Sequence, residues 1–531
     1  MMPDTTMHSF SKSQIVRKPA VSSRGGIVAS QHRIASEIGA EVLAAGGDAI
    51  DAAVAVSFAI GVLEPWMSGP AGGGAMMVWR AGEARPHALS YGMRAPKGLD
   101  IRDFPLSGEG VAGDLFPWNR VVDDRNLEGA SAVAVPGVVA GIGAAHDNWG
   151  RMPWRDLVTP AAGLARKGLK IDWYAGLIIA SAARSLAKDP DAAALFLEDG
   201  TWPPVGAWTA LTDLRLPLTR MADTLETIAA NGPREMQEGD VAKALAEDVS
   251  NKGGSLRYED LKDYRAELGD PLSIDAFGGR CHVTPRLTAG PTMADSFARL
   301  EALGIKQSEG ERLAALATAL TGAYEHRLST MGDHESPKAP GSTTHFSIVD
   351  RHGNMVAMTQ TLLSIFGAKV VSPSTGLLLN NGIMWFDPEQ GRPNSLGPGK
   401  SCLMNVCPAI GEKDGTRFAI GASGGRKILP AVAQLAYRML ALDEDLDTAF
   451  HAPRIDVSGG TTVVADEALG PEILAEVGKA HSVKAVPRLP FPYAFACPTG
   501  VMRREDTNFG ATEPMSPWGD AVAETPDPQA E

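Results

Sequence analysis

The sequence predicts a mixed α+β fold on three observations. Residues 33–63 carry helical periodicity, residues 151–270 read mostly as helices, and residues 343–362 hold two β-patterned runs joined by a turn. The 531 residues are 44% hydrophobic, as in a globular chain, and could fill one large core or several domains. Lys and Arg number 49 against 63 Asp and Glu, a net charge of −14, and there is no Lys/Arg-rich run. Nucleic acid and anionic membrane surfaces are captured mainly through positive charge, so neither is an expected partner and a small-molecule ligand is favoured.

Residues 1–25 are polar and aperiodic, and the end from about Ala521 is acidic and Pro-containing, so both read as loose tails. The opening has no apolar h-region, and a cytoplasmic protein is expected. A short apolar run at 26–30 leads to a helix with Ile34, Ile38 and Val42 on one face, ended by Gly46-Gly47. The next helix, Asp48 to Leu63, is apolar almost all round and is expected to be buried; its uncharged run is too short to span a bilayer. Gly72, Gly73 and Gly74 then run into a strand-like segment at 75–79. Triple glycine permits close backbone approach or positive φ, and either a structural turn or a ligand loop fits; no Lys-Ser/Thr follows to make a phosphate cradle.

The polar, turn-rich stretch 326–342 reads as the chain's best boundary, and His326, His334 and Glu335 within it lack a ligand spacing, so a solvated loop is expected. Cys281, Cys402, Cys407 and Cys497 form neither a CxxC pair nor a metal-finger pattern and read as reduced and structural. No metal or organic cofactor is expected.

TTHFSIVD at 343–350 and MVAMTQTL at 355–362 read as a hairpin across a turn containing Asp350, Gly353 and Asn354. A five-residue loop, 350–354, pairs Val349 with Met355 and sets Thr361 opposite Thr343; a one-residue slip would turn Thr361 to the other face. Opposed threonines are ordinary strand partners. A chemical alternative arises because a cut before Thr343 would give it a free α-amine, with reference pKa about 7.7–8.0, beside its own hydroxyl. One residue would then be nucleophile and general base.

Taken in order, several segments resemble the γ-glutamyltransferase (glutathione hydrolase) family of N-terminal-nucleophile hydrolases: LAAGGDAIDAAVAVSFAIGVLEP at 43–65, GGGAMMV at 72–78, AVAVPG at 132–137, YEDLKDY at 258–264, TTHFSIVDRHGNMVAMTQT at 343–361, GLLLNN at 376–381, GASGGRKI at 421–428 and FGATEP at 509–514. The resemblance implies a four-layer αββα sandwich made as a precursor that cleaves itself at Ser342–Thr343. The products would be a large segment, 1–342, and a small one, 343–531, of 189 residues, which stay associated in one sandwich. It implies that Thr343 Oγ takes the acyl group of an amide substrate and passes it to water or an amine. Thr361 would hydrogen-bond the nucleophile, and the backbone N–H groups of Gly424 and Gly425 would stabilise the oxyanion. Asn380 and Asn381 occupy the paired-asparagine position, as substrate ligands or as a turn.

The chain departs from the pattern where typical members clamp the glutamyl α-carboxylate and α-amine. Gly92, Leu363, Trp385, and Met404 with Asn405 stand at positions that usually hold Arg, Asn, Asp and paired serines. Arg94, two residues beyond Gly92, could share its strand face and reach a substrate carboxylate, or could form an ion pair. Trp385 and Leu363 could line an acyl pocket or belong to the core. Glutaryl- or cephalosporin-acylase-like hydrolysis of non-α-amino acyl groups is therefore an alternative activity. Two further readings are open. GASGG also fits a nucleophile elbow, with Ser423, one of Asp443, Asp445 and Asp447, and His451 as an α/β-hydrolase triad. The chain could also be an uncleaved, non-catalytic binding relative.

Overall fold

The computed structural model describes residues 16–112, 118–206, 212–304, 306–331, 341–458 and 460–525. Two seven-stranded, wholly antiparallel sheets lie face to face. The first runs Asp520–Ala523, Ile27–Ser30, Gly341–Val349, Met355–Ser364, Gly73–Trp79, His87–Tyr91, Glu267–Gly269. The second runs Val21–Ser23, Thr507–Thr512, Cys497–Arg504, Thr416–Ser423, Ala409–Lys413, Gly279–Val283, Leu272–Ala276. Ile27, Met77, Trp79, Val349 and Met355 of the first sheet meet Ile410, Ala419 and Val501 of the second in an apolar layer. Helices cover the outer faces, with Arg33–Ala44, Ala49–Leu63 and Val138–Trp149 on the first sheet and Gly290–Leu303 and Ile428–Ala441 on the second. These are the four layers of an αββα sandwich. Strands from either side of Ser342–Thr343 share both sheets.

Helix Ala49–Leu63 is buried all round except at its last residue, as its apolar sequence requires. Asp48 caps it by accepting from the N–H groups of Ile50 and Asp51, and the Asp51 carboxylate accepts from the Asp48 N–H. Helix Arg33–Ala44 buries Ala35, Ile38, Gly39 and Val42, whereas Ile34 is 39% exposed. Each residue turns the helix by about 100°, so the buried arc centres one residue beyond Ile34 and leaves it on the rim. The region 151–270 holds the expected helices, among them Trp154–Lys167, Thr219–Asn231 and Asp240–Asn251. All four cysteines are buried free thiols. Among the described residues no helix is long and apolar enough to cross a membrane.

Three expectations are corrected. Val21–Ser23 and Asp520–Ala523 are edge strands, not loose tail, because a short segment can pair with a sheet edge through its backbone alone, without apolar periodicity; residues 1–15 and 526–531 lie outside the described residues. His326 lies on helix Glu309–Met331, not in a loop. The helix carries a buried arginine, Arg327, on its inner face, so polar composition there does not mark a solvated segment; His334 and Glu335 lie outside the described residues. The triple glycine is neither turn nor ligand loop, since Gly73 and Gly74 begin the strand Gly73–Trp79. A Cβ on Gly74 would stand 2.1 Å from the Thr359 carbonyl oxygen, and one on Gly72 2.4 Å from that of Thr361. Close backbone approach is what the glycines supply. Gly74→Ala is expected to cost about 2–4 kcal/mol or to prevent folding, read by chemical denaturation against Gly163→Ala, whose Cβ meets nothing within 4 Å.

Candidate active site

The hairpin follows the five-residue-loop register from Val349↔Met355 up to Thr344↔Gln360. It then slips by one, so that Ser342 faces Leu363 and Gly341 faces Ser364. Thr343 alone spans Thr361 and Leu362. This is a β-bulge on the second strand. Leu363, just beyond it, has φ +89, and its N–H donates to Thr361 Oγ1 at 2.8 Å. Despite the slip, the two threonine hydroxyls meet at 3.2 Å, both buried. The Thr361 backbone pairs on its other side with Gly73.

Strand Thr416–Ser423 ends beside this point. Gly424 (φ +134) and Gly425 (φ +59) open a short 3₁₀ turn, Gly425–Lys427, packed next to Gly341–Val349, and helix Ile428–Ala441 follows. The positive φ of Gly424 favours glycine, and a Cβ there would crowd Ala496 Cα at 3.0 Å. His345 is buried between Thr359 Oγ1 (2.8 Å) and Ser347 Oγ (2.9 Å), and burial pushes its pKa down to about 3, so it stays neutral.

Asn381 braces the bulge, and Asn380 joins two neighbouring segments. Asn380 donates to the Ala71 and Ala134 carbonyls, both at 2.8 Å, and accepts from the N–H groups of Ala134 and Gly382. Asn381 accepts from Ser364 N–H and donates to Leu127 O and Ser364 Oγ, while its own N–H reaches the Leu362 carbonyl. Asn381 thereby ties the Leu127 loop to the hairpin, and Asn380 joins the segments at Ala71 and Ala134.

The clamp positions converge on an apolar cluster. Leu363, Trp385 and Met404 are buried together with Met93, Trp118 and Cys402, and a Cβ on Gly92 would touch Met404 at 2.8 Å. Strand His87–Tyr91 ends before Gly92, so Arg94 shares no strand face with it. The Arg94 guanidinium donates to Glu267 Oε1 at 2.9 Å and lies 4.9 Å over the Tyr264 ring, beside a cavity of about 130 Å³ bordered also by Gly92, Arg286 and Met404. Arg94 thus forms the ion pair with Glu267 while bordering that cavity.

Asn405 is buried. Its Oδ1 lies 3.4 Å from Arg327 Nη2, and its Nδ2 has no hydrogen-bond partner among the described residues. Arg327 escaped the sequence reading. It also donates to Thr288 O, Thr292 Oγ1 and Met404 O, and burial pushes its pKa down to about 10. No compositional signal marks one arginine in a helical run as buried.

Ser423 sits at a strand–turn–helix junction as an elbow would, but its Oγ accepts from Gln31 Nε2 at 2.5 Å. His451 Nδ1 contacts Asp447 O at 2.8 Å and lies 3.6 Å from Asp447 Oδ1, but its Nε2 accepts from the Lys18 N–H. Among the described residues no hydrogen bond joins Ser423 to His451, so the triad is not assembled.

Two seven-stranded sheets between helical layers, with Thr343 and Thr361 meeting across the two central strands of one sheet, form an αββα sandwich of the N-terminal-nucleophile hydrolase type. The gamma-glutamyltranspeptidase family profile matches residues 35–342 and 336–517, and the chain belongs to that family. It is 32% identical to an acylase ACY 1 proenzyme of Pseudomonas sp. (strain V22), with 89% of each chain covered. It is 30% identical to a glutathione hydrolase proenzyme of Bacillus subtilis, covering 87% of this chain and 86% of that one. In structure it resembles cephalosporin acylase from Bacillus halodurans, with TM-score 0.82 at 23% identity over 97% of this chain and 98% of the other.

Asn381→Ala is expected to lower stability by about 2–4 kcal/mol, because Ser364 N–H and the Leu127 carbonyl lose buried partners together. Urea unfolding measures it; an effect below about 0.5 kcal/mol would show that the amide does not hold the bulge.

Proposed function

We propose that the chain is a self-processing amide hydrolase and acyltransferase with Thr343 as its nucleophile. The observation that carries the reading is the 3.2 Å Thr343–Thr361 contact, at a bulge and beside the Gly424–Gly425 turn. Relatives named as proenzymes support a precursor cut into associating segments. In processing, Thr343 Oγ attacks the Ser342 carbonyl carbon, the C–N bond breaks as its nitrogen takes a proton, and water hydrolyses the resulting ester. That frees the Thr343 α-amine. In turnover the amine accepts the Oγ proton while Oγ adds to the substrate carbonyl, then gives it to the departing amine, leaving an acyl ester on Thr343. Water or an acceptor amine releases the acyl group by the reverse path. Thr361 orients the nucleophile, and backbone N–H groups of the glycine turn stabilise each tetrahedral oxyanion.

For the acyl group, the buried cluster at 363, 385 and 404 favours a chain without an α-amine. A desolvated ammonium there would face Trp, Leu and Met instead of a carboxylate. The acylase relative supports the same preference, and the glutathione hydrolase relative marks the competing one.

Freshly purified protein is expected to run on a denaturing gel as fragments of 342 and 189 residues, the smaller beginning at Thr343. Thr343→Ala is expected to remain one chain and to lose roughly 10⁴-fold or more in activity. A fully active unbroken chain would overturn the mechanism. Among acyl anilides, glutaryl or uncharged acyl groups are expected to exceed γ-glutamyl in kcat/KM by about tenfold or more, the value of one misplaced charge; a γ-glutamyl preference would reverse the substrate assignment.

A further inference from the structure

A buried chain of polar side chains, unused in the reaction above, begins one residue from the candidate nucleophile. Thr344 Oγ1 lies 2.9 Å from Glu64 Oε2 and 3.2 Å from Gln31 Oε1. Gln31 Nε2 donates to Ser423 Oγ at 2.5 Å and to the Cys497 carbonyl at 2.9 Å. Glu64, Thr344, Gln31 and Ser423 are all buried. The chain therefore joins the end of helix Ala49–Leu63 to the second residue of the proposed small segment, and thence to the residue preceding Gly424.

Counting hydrogens assigns the proton. Turning the Gln31 amide over would set its oxygen against the Cys497 carbonyl, acceptor against acceptor, so the amide orientation is determined. Gln31 Oε1 then faces Thr344 and needs a hydrogen. Thr344 has one hydroxyl hydrogen and two neighbouring acceptors. Given to a Glu64 carboxylate, it leaves Gln31 Oε1 without a donor; given to Gln31, it leaves the hydroxyl's lone pairs facing the carboxylate's. A proton on Glu64 satisfies every pair in one direction, Glu64 to Thr344 to Gln31.

We infer that Glu64 is a positioning residue held as a neutral carboxylic acid, whose proton aligns the Glu64–Thr344–Gln31–Ser423 chain and so holds the nucleophile's strand against the Gly424–Gly425 turn. This rests on the reading of Thr343 as nucleophile and of that turn as the oxyanion site. Among the described residues no salt bridge reaches Glu64, and burial pushes its carboxyl up to about 8, against the opposing hydrogen bond from Thr344. The titratable groups that interact with it are Tyr174, on helix Trp173–Leu186, and Tyr493, whose hydroxyls meet at 2.7 Å. Both are pushed upward by burial, as is the Cys497 thiol, so all three are neutral near pH 7. After processing the Thr343 α-amine joins them, and it is neutral when it serves as base. A raised carboxyl keeps its proton below about 8 and loses it above. Thus kcat rises as the α-amine deprotonates and falls again as Glu64 ionises.

The test uses processed enzyme. Glu64→Gln, whose amide donates to Thr344 permanently, is expected to keep kcat at pH 7 within about threefold and to lose the alkaline fall, whereas Glu64→Ala lowers kcat about tenfold or more with KM little changed. An alkaline fall that persists in Glu64→Gln, its absence from the wild type, or an effect confined to KM would overturn the inference. Infrared difference spectra between wild type and Glu64→Gln read the proton without turnover. A carboxylic C=O band present at neutral pH and lost in strong alkali is expected, and its absence is equally decisive. Should Glu64→Gln fail to fold, Thr344→Val carries the kinetic test: lower kcat, unchanged KM and no alkaline fall are expected, and a wild-type profile overturns the inference. Mass analysis of trapped acyl-enzyme locates the nucleophile independently. Label absent from Thr343 would refute that reading while leaving the infrared result for Glu64 to stand or fall separately.

Discussion

A one-residue slip between the strands Gly341–Val349 and Met355–Ser364 is the constraint on which the site depends. Six consecutive pairs run in one register from the turn, and the seventh cannot, because Thr343 faces two residues. The slip gives Leu363 its positive φ, brings the Thr361 hydroxyl onto the Leu363 N–H, and leaves the two threonine hydroxyls in contact. A bulge costs regular pairing, so it persists only where neighbours over-determine it. Here they do: Asn381 takes up the Leu362 carbonyl and the Ser364 N–H, while Gly72 and Gly74 leave room for the carbonyls of Thr361 and Thr359.

The same economy appears in the apolar cluster of Leu363, Trp385 and Met404. Where a clamp of charged and polar groups would require each to find a partner away from water, this chain packs Leu363, Trp385 and Met404 against one another. Its nearby cations are arranged differently. Arg94 and Arg286 share Glu267 near the surface, and Arg327 is buried on carbonyl and hydroxyl oxygens and the Asn405 amide. Arg327 thereby ties helix Glu309–Met331 to the start of helix Gly290–Leu303 and to the 404–405 segment. Helix Glu309–Met331 is thus anchored to the 404–405 segment of the proposed small segment.

Much of this was legible in one dimension. The all-apolar helix after Asp48 and the two strands of the hairpin follow from composition and period, whereas the five-residue loop that lets Thr343 meet Thr361 was one of two registers the sequence allowed. The paired asparagines were legible as a motif but not as braces, since four hydrogen bonds from Asn380 reach residues as far as 309 positions away. The edge strands near both ends carry no period to read, because a sheet edge recruits them through backbone groups common to all residues.

By itself, then, the sequence determined the strongly periodic helices, the two strands of the central hairpin, and which threonines can be partners. Local pattern suffices for these, because they depend on side-chain periodicity along a few consecutive residues. Only the tertiary structure decided the register slip at Thr343, the packing of Leu363, Trp385 and Met404 into one apolar cluster, and the burial of Glu64, Gln31 and Arg327. Those depend on the direction of individual hydrogen bonds and on which distant segments exclude water from a given atom, and neither is encoded in the spacing of residues along the chain.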